Sequence, residues 1–159
     1  MNRTTVGGPE LGGGRGAGGV VVLVDPARAG RSPVAALLAT ELHPSVHLRT
    51  DDFLRVIRRG QLPPHLPEAE RQNTTALAAA AQAAFAYATG GYQVVVECPA
   101  VPALDTFRRE SRTTGAALHY VVLDPAPGRH TVDPTTLTPE TTTKAVLAAL
   151  ATGTHLLGW

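Results

Sequence analysis

Four short apolar runs, at residues 20–24, 46–49, 92–97 and 118–123, are separated by stretches of helical character. The runs are rich in β-branched residues and mostly apolar on both strand faces, as strands buried from both sides are. Residues 32–42 read as the first helix, with Pro33 tolerated in its opening turn. Thr50 or Asp51 is placed to cap a second helix reaching about Arg59, with Gly60 to end it. A proline-rich loop follows at 61–66. The longest helical signal runs over 67–89, with Leu77, Ala81, Ala84, Phe85 and Ala88 on one stripe and Gly90–Gly91 as its stop. Residues 105–113 read as a further helix, and Thr138 with Pro139 opens a last one to about Ala151. Strands alternating with helices imply an α/β fold: a parallel sheet in a three-layer arrangement with flanking helices. Ligands in such sheets sit at the carboxyl ends of the strands. Asp25 to Ser32, residues 50–52, Glu97 and Asp124 fall there.

The first strand-to-helix turn has the setting of a phosphate loop, G-x-x-x-x-G-K-[ST]. Here Asp25 stands at the first glycine, Gly30 at the second, Arg31 at the lysine and Ser32 at the hydroxyl. Such loops cradle oxyanions with backbone N–H groups at a helix N-terminus. Asp25 adds a negative charge beside that position. Arg28 and Ala29 replace small, flexible residues. Arg31 keeps a positive charge, but as a planar fork rather than a point. The only lysine, Lys144, lies far along the chain. The nucleotide candidates are Arg28, Ala29, Gly30, Arg31 and Ser32, with Ser32 also the metal candidate.

Length and composition narrow the function. With 159 residues the chain suffices for one domain with its own core. Residues 1–19 hold half of the 16 glycines and read as a disordered tail, leaving 20–159 as the domain. A net charge of +1 carries no footprint for nucleic acid or for an anionic membrane. No apolar run approaches the roughly 18 residues of a membrane span. The lone cysteine, Cys98, precludes an internal disulfide, and a cytoplasmic location is expected. Beside Pro99, Cys98 reads as a small buried residue rather than a nucleophile. The six histidines lack metal spacing.

The string VHLRTDDFLRVIRRGQLPPHLPEAERQN, then an Ala-rich helix and GGYQVVVECP, resembles small bacterial P-loop kinases. These are the chloramphenicol-phosphotransferase-like and polynucleotide-kinase-like members of the AAA-type ATP-binding group. LDTFRRESRTTGAALHYVVL and DPTTLTPETTTKAVLAAL resemble the same group. The resemblance covers about residues 20–123 and 130–150. It implies a five-stranded parallel sheet of order 2-3-1-4-5, ATP with Mg²⁺, and phosphoryl transfer to a small hydroxyl-bearing acceptor. It maps Gly30, Arg31 and Ser32 onto phosphate and metal positions, and Asp51 onto the residue that contacts the acceptor hydroxyl. It sets Glu97 where the family carries an aspartate. Asp51 and Glu97 are thus the catalytic candidates. Asp51 has a structural alternative as a helix cap, and Glu97 as a solvated or arginine-paired carboxylate.

The chain also departs from that family. Leu123 and His130 are separated by only D-P-A-P-G-R, too short for a parallel crossover. The expectation is a sheet of order 2-3-1-4 with the fifth strand lost or displaced, strand four uncovered and the lid missing. An altered loop without a lid predicts impaired activity. The expected function is a P-loop kinase-like protein, ancestrally an ATP-binding phosphotransferase, whose partners are a nucleotide and a small acceptor. The alternatives are a catalytically dead pseudokinase acting as a binding module, and a truncated relic.

Overall fold

The computed structural model describes residues 8–12, 17–28 and 31–158. Its elements follow as β1 (Gly19–Val24), α1 (Pro33–Glu41), β2 (Ser45–Arg49), α2 (Asp52–Arg55), α3 (Glu70–Thr89), β3 (Gln93–Cys98), α4 (Leu104–Thr114), β4 (Ala117–Leu123), β5 (Thr131–Val132) and α5 (Pro139–Ala151). All five strands are parallel, in the order β2-β3-β1-β4-β5.

The unbroken apolar runs are explained by helices on both faces. On one face Val20, Val22, Val94, Val96 and Leu118 pack against Ala81, Ala84 and Phe85 of α3 and Phe107 of α4. On the other, Val21, Leu23, Val95 and Val121 meet Val34 and Leu38 of α1 and Val146 of α5. Alternate residues of one strand therefore serve opposite cores. Burying a valine or leucine fully contributes about 1.5–3 kcal/mol, so these two faces supply the main driving force.

The helix boundaries follow local chemistry. Ser32 caps α1, its Oγ accepting from the Ala35 N–H at 3.3 Å. Thr138 does the same for α5 at 3.1 Å, with Pro139 in the first turn. Gly115 closes α4 at φ 76°, a left-handed conformation that glycine adopts without strain.

Three expectations are corrected. The second helix stops at Arg55 instead of about Arg59, and Asp51 makes no side-chain capping bond. Val56 beyond it is 77% exposed, so no apolar face holds further turns in place. The fifth strand is present, parallel and next to β4, with Val122 opposite Thr131 and Leu123 opposite Val132. A full crossover needs about a dozen residues. β5 meets only the last two residues of β4, so the connection over 124–130 returns by about 7 Å at strand rise. Nor is the rest of β4 uncovered: His119 forms an antiparallel bridge with Leu156. Residues 8–12 include a packed anchor. Leu11 is buried, its N–H donating to Gln93 Oε1 at 2.6 Å. His119 Nε2 lies 3.0 Å from the Leu11 carbonyl.

Candidate functional site

The strand register decides which side chains meet at the carboxyl end of the sheet. Arg49 lies opposite Glu97, and His47 opposite Val95. Partners in register share a face, so His47, Arg49 and Glu97 all project toward α1. Ser32 begins that helix. Glu97 is 1% exposed and fully engaged. Its Oε1 accepts from the Ser32 N–H at 2.5 Å, and its Oε2 accepts from Arg49 Nε at 3.1 Å. His47 Nε2 lies 2.9 Å from the same Oε2. Asp25, 6% exposed, directly follows β1, and its Oδ2 accepts from the Ser32 hydroxyl at 2.7 Å. Ser32 thus gives its N–H to one buried carboxylate and its O–H to another.

An oxyanion cradle needs free N–H groups, and among the described residues of this turn those of Arg28, Arg31 and Ser32 are engaged. Pro26 and Pro33 have no N–H. The Arg28 N–H donates to the Asp25 carbonyl at 3.1 Å, and the Arg31 N–H to the Arg28 carbonyl at 3.0 Å, across a 3-10 turn at Pro26–Arg28. The Ser32 N–H, at the helix N-terminus, is held by Glu97. Arg28 and Arg31 are exposed. Of the nucleotide candidates, Ala29 and Gly30 lie outside the described residues. A triphosphate does not fit the remainder: two buried carboxylates flank the hydroxyl, no lysine is present, and these N–H groups are engaged.

Asp51 belongs to a different place. With Leu54, Asn73, Leu77, Cys98 and Val101 it lines a cleft of about 360 Å³ between α2, α3 and the loop after β3. Glu97 is not part of that lining, because it points to the opposite face from its neighbour Cys98. The structure therefore brings Ser32, Asp25 and Glu97 together and leaves Asp51 apart from them. Burial pushes the Cys98 thiol up to about 12, with the Asp51 and Glu97 carboxylates acting the same way and a Thr50 hydrogen bond opposing them. The thiol stays protonated at neutral pH and is no nucleophile. Asp52 is exposed and pairs with Arg55 at 3.1 Å. Among the described residues no group of three or more His, Cys, Asp or Glu could hold a metal ion.

A larger cavity, about 600 Å³, opens at the amino ends of β1 and β4 beside Gly18, Gly115, Leu118 and Leu157. It has no titratable side chain in its lining and lies at the wrong end of the sheet for a ligand site of this fold. The residues that sequence reasoning missed are His47 and Arg49. Their shared parity with each other was readable, but their register against Glu97 was not.

No family model and no curated protein matches the chain. Solved structures do. The APS kinase of Mycobacterium tuberculosis superposes with a TM-score of 0.64 at 18% identity, covering 84% of this chain and 97% of that one. The tunicamycin resistance protein of Deinococcus radiodurans gives 0.59 at 14% identity, covering 89% and 99%. A gluconokinase from Sinorhizobium meliloti gives 0.51 at 17%, covering 84% and 92%. The chain has the fold of the P-loop kinases, with the five-stranded order 2-3-1-4-5. Among the described residues no helix is long and apolar enough to cross a membrane.

Proposed function

We propose that this chain is a P-loop kinase-like protein in which phosphoryl transfer is impaired and the acceptor cleft remains as a binding site. One observation carries the reading: Glu97 Oε1 on the Ser32 N–H and Asp25 Oδ2 on the Ser32 hydroxyl. An active cradle offers both groups to phosphate and metal. Here the protein's own carboxylates take them, and bringing a triphosphate beside two buried anions is electrostatically costly.

The cleft supports the binding half of the proposal. Asp51 makes no capping bond and lines the cleft, which supports a role for its carboxylate in accepting a hydrogen bond from a hydroxyl. No lysine, arginine or histidine lines the cleft, so an acceptor without strong negative charge suits it. A sheet covered on both faces, with β4 paired along its outer edge, speaks against a truncated relic.

Calorimetric titration with ATP and Mg²⁺ tests the reading. The expected result is no saturable heat up to roughly millimolar nucleotide, from protein shown to be folded. Saturable binding that is lost in Arg31→Ala would overturn it and restore an active nucleotide site.

A further inference from the structure

The geometry points to a proton-operated strap: residues 153–158 close the outer edge of β4 at neutral pH and release it in acid. The strap leaves α5 through Gly153, at φ 73°. It then runs antiparallel to β4. The Tyr120 N–H donates to the His155 carbonyl at 2.9 Å, and the Leu157 N–H to the Leu118 carbonyl at 2.8 Å, on either side of the His119–Leu156 bridge. Leu157 is buried with the core on the α3 face. β5 covers only the last two residues of β4, so the strap is what pairs residues 118–120.

His130 and His155 meet where the strap docks, on the Tyr120 face of β4, while His119 projects to the opposite face toward Leu11. His155 and His119 are 3% and 4% exposed. The His130 ring lies 5.7 Å from His155 and 5.9 Å from Tyr120, centroid to centroid. The Nδ1 atoms of His119, His130 and His155 are all buried without a hydrogen-bond partner, as is Arg108 Nε. The charged groups acting on these rings are cationic. Arg129, in the loop before β5, and Arg108, on α4, act on His130; His130 and His119 act on His155. From β4, Tyr120 is held neutral well past this range by its own burial and by the Cys98 thiol. A proton added to either His130 or His155 therefore has no buried acceptor and meets like charge.

The sign follows. Burial, the largest cause for both rings at the strap, holds His130 and His155 below the ordinary value of 6.5. Released rings return to that value and bind protons more readily than docked ones. Docking is thus at full strength above about pH 6.5 and weakens as pH falls below it. Release would present the unpaired backbone of residues 118–120, a template for an added strand.

Amide hydrogen exchange tests this, read as protection factors between pH 7.5 and 5.0. The reporters are the Tyr120 and Leu157 amides, with Val21 and Val22 of β1 as a reference for global opening. Protection at the reporters is expected to fall below pH 6.5 by up to about tenfold per pH unit for each ring that gains a proton on release. Protection at β1 is expected to hold. In His130→Gln and, separately, His155→Gln, the slope flattens. Reporter protection that stays level to pH 5.0 in the wild-type chain would overturn the proposal. So would loss that runs in parallel with β1, since that is global acid unfolding. The wild-type profile decides the matter even if one variant does not fold.

Discussion

The turn between β1 and α1 and the cleft beside Asp51 share the carboxyl end of one sheet but are finished in opposite ways. At the turn each buried carboxylate is answered from within: Glu97 by Arg49, His47 and the Ser32 N–H, and Asp25 by the Ser32 hydroxyl. At the cleft the single carboxylate, Asp51, stands in a largely apolar lining without a capping bond. Glu97 and Cys98 are consecutive, yet strand alternation sends one to the turn and the other to the cleft. The comparison teaches that two regions at one sheet end can differ sharply in how far their polar groups are satisfied from within.

Removing Glu97 should strain this comparison most. Glu97→Ala leaves the Ser32 N–H and Arg49 without their acceptor in a buried setting. A loss of roughly 3 kcal/mol is expected in urea denaturation, the low end for a broken buried pair because the Arg49 side chain is 36% exposed. A loss below about 0.5 kcal/mol would mean that Glu97 is not structural. Ser32→Ala removes the helix cap and the partner of Asp25, and should cost about 1–2 kcal/mol in the same assay. A neutral result would show the hydroxyl to be idle in the fold and available to a ligand. Asp51→Asn should change stability by no more than about 0.5 kcal/mol, since no capping bond is lost. It should nevertheless weaken any small hydroxyl compound found to bind in the cleft. Destabilisation on the scale of the Ser32 variant would move Asp51 from the site into the scaffold.

Much of the architecture was legible because it rests on local or periodic chemistry. The Ser32 and Thr138 caps, the Gly90 stop after α3 and the doubly apolar strands β1, β3 and β4 each depend on residues near in sequence. The site was legible in part. Ser32 and Glu97 were singled out as residues of interest, but not their direct contact. His47 and Arg49 read as ordinary members of a short strand. The fifth strand was misjudged because the crossover rule assumes a full-length partner, whereas β5 has two residues. The second helix was overdrawn because Gly60 looked like a stop, while Val56, Arg58 and Arg59 are exposed and Ile57 alone is half-buried.

By itself the chain's order of residues determined the α/β alternation, the burial of the inner strands on both faces and the place of Asp25 and Ser32 at the two ends of the turn between β1 and α1. Those properties follow from side-chain periodicity and from caps a few residues apart. Tertiary structure alone decided that Glu97 turns inward to Ser32, that Asp51 faces a separate cleft, and that residues 153–158 close the β4 edge. Each of these joins groups distant in sequence through strand register. Register is set by how two cores pack around a sheet, which no local pattern contains.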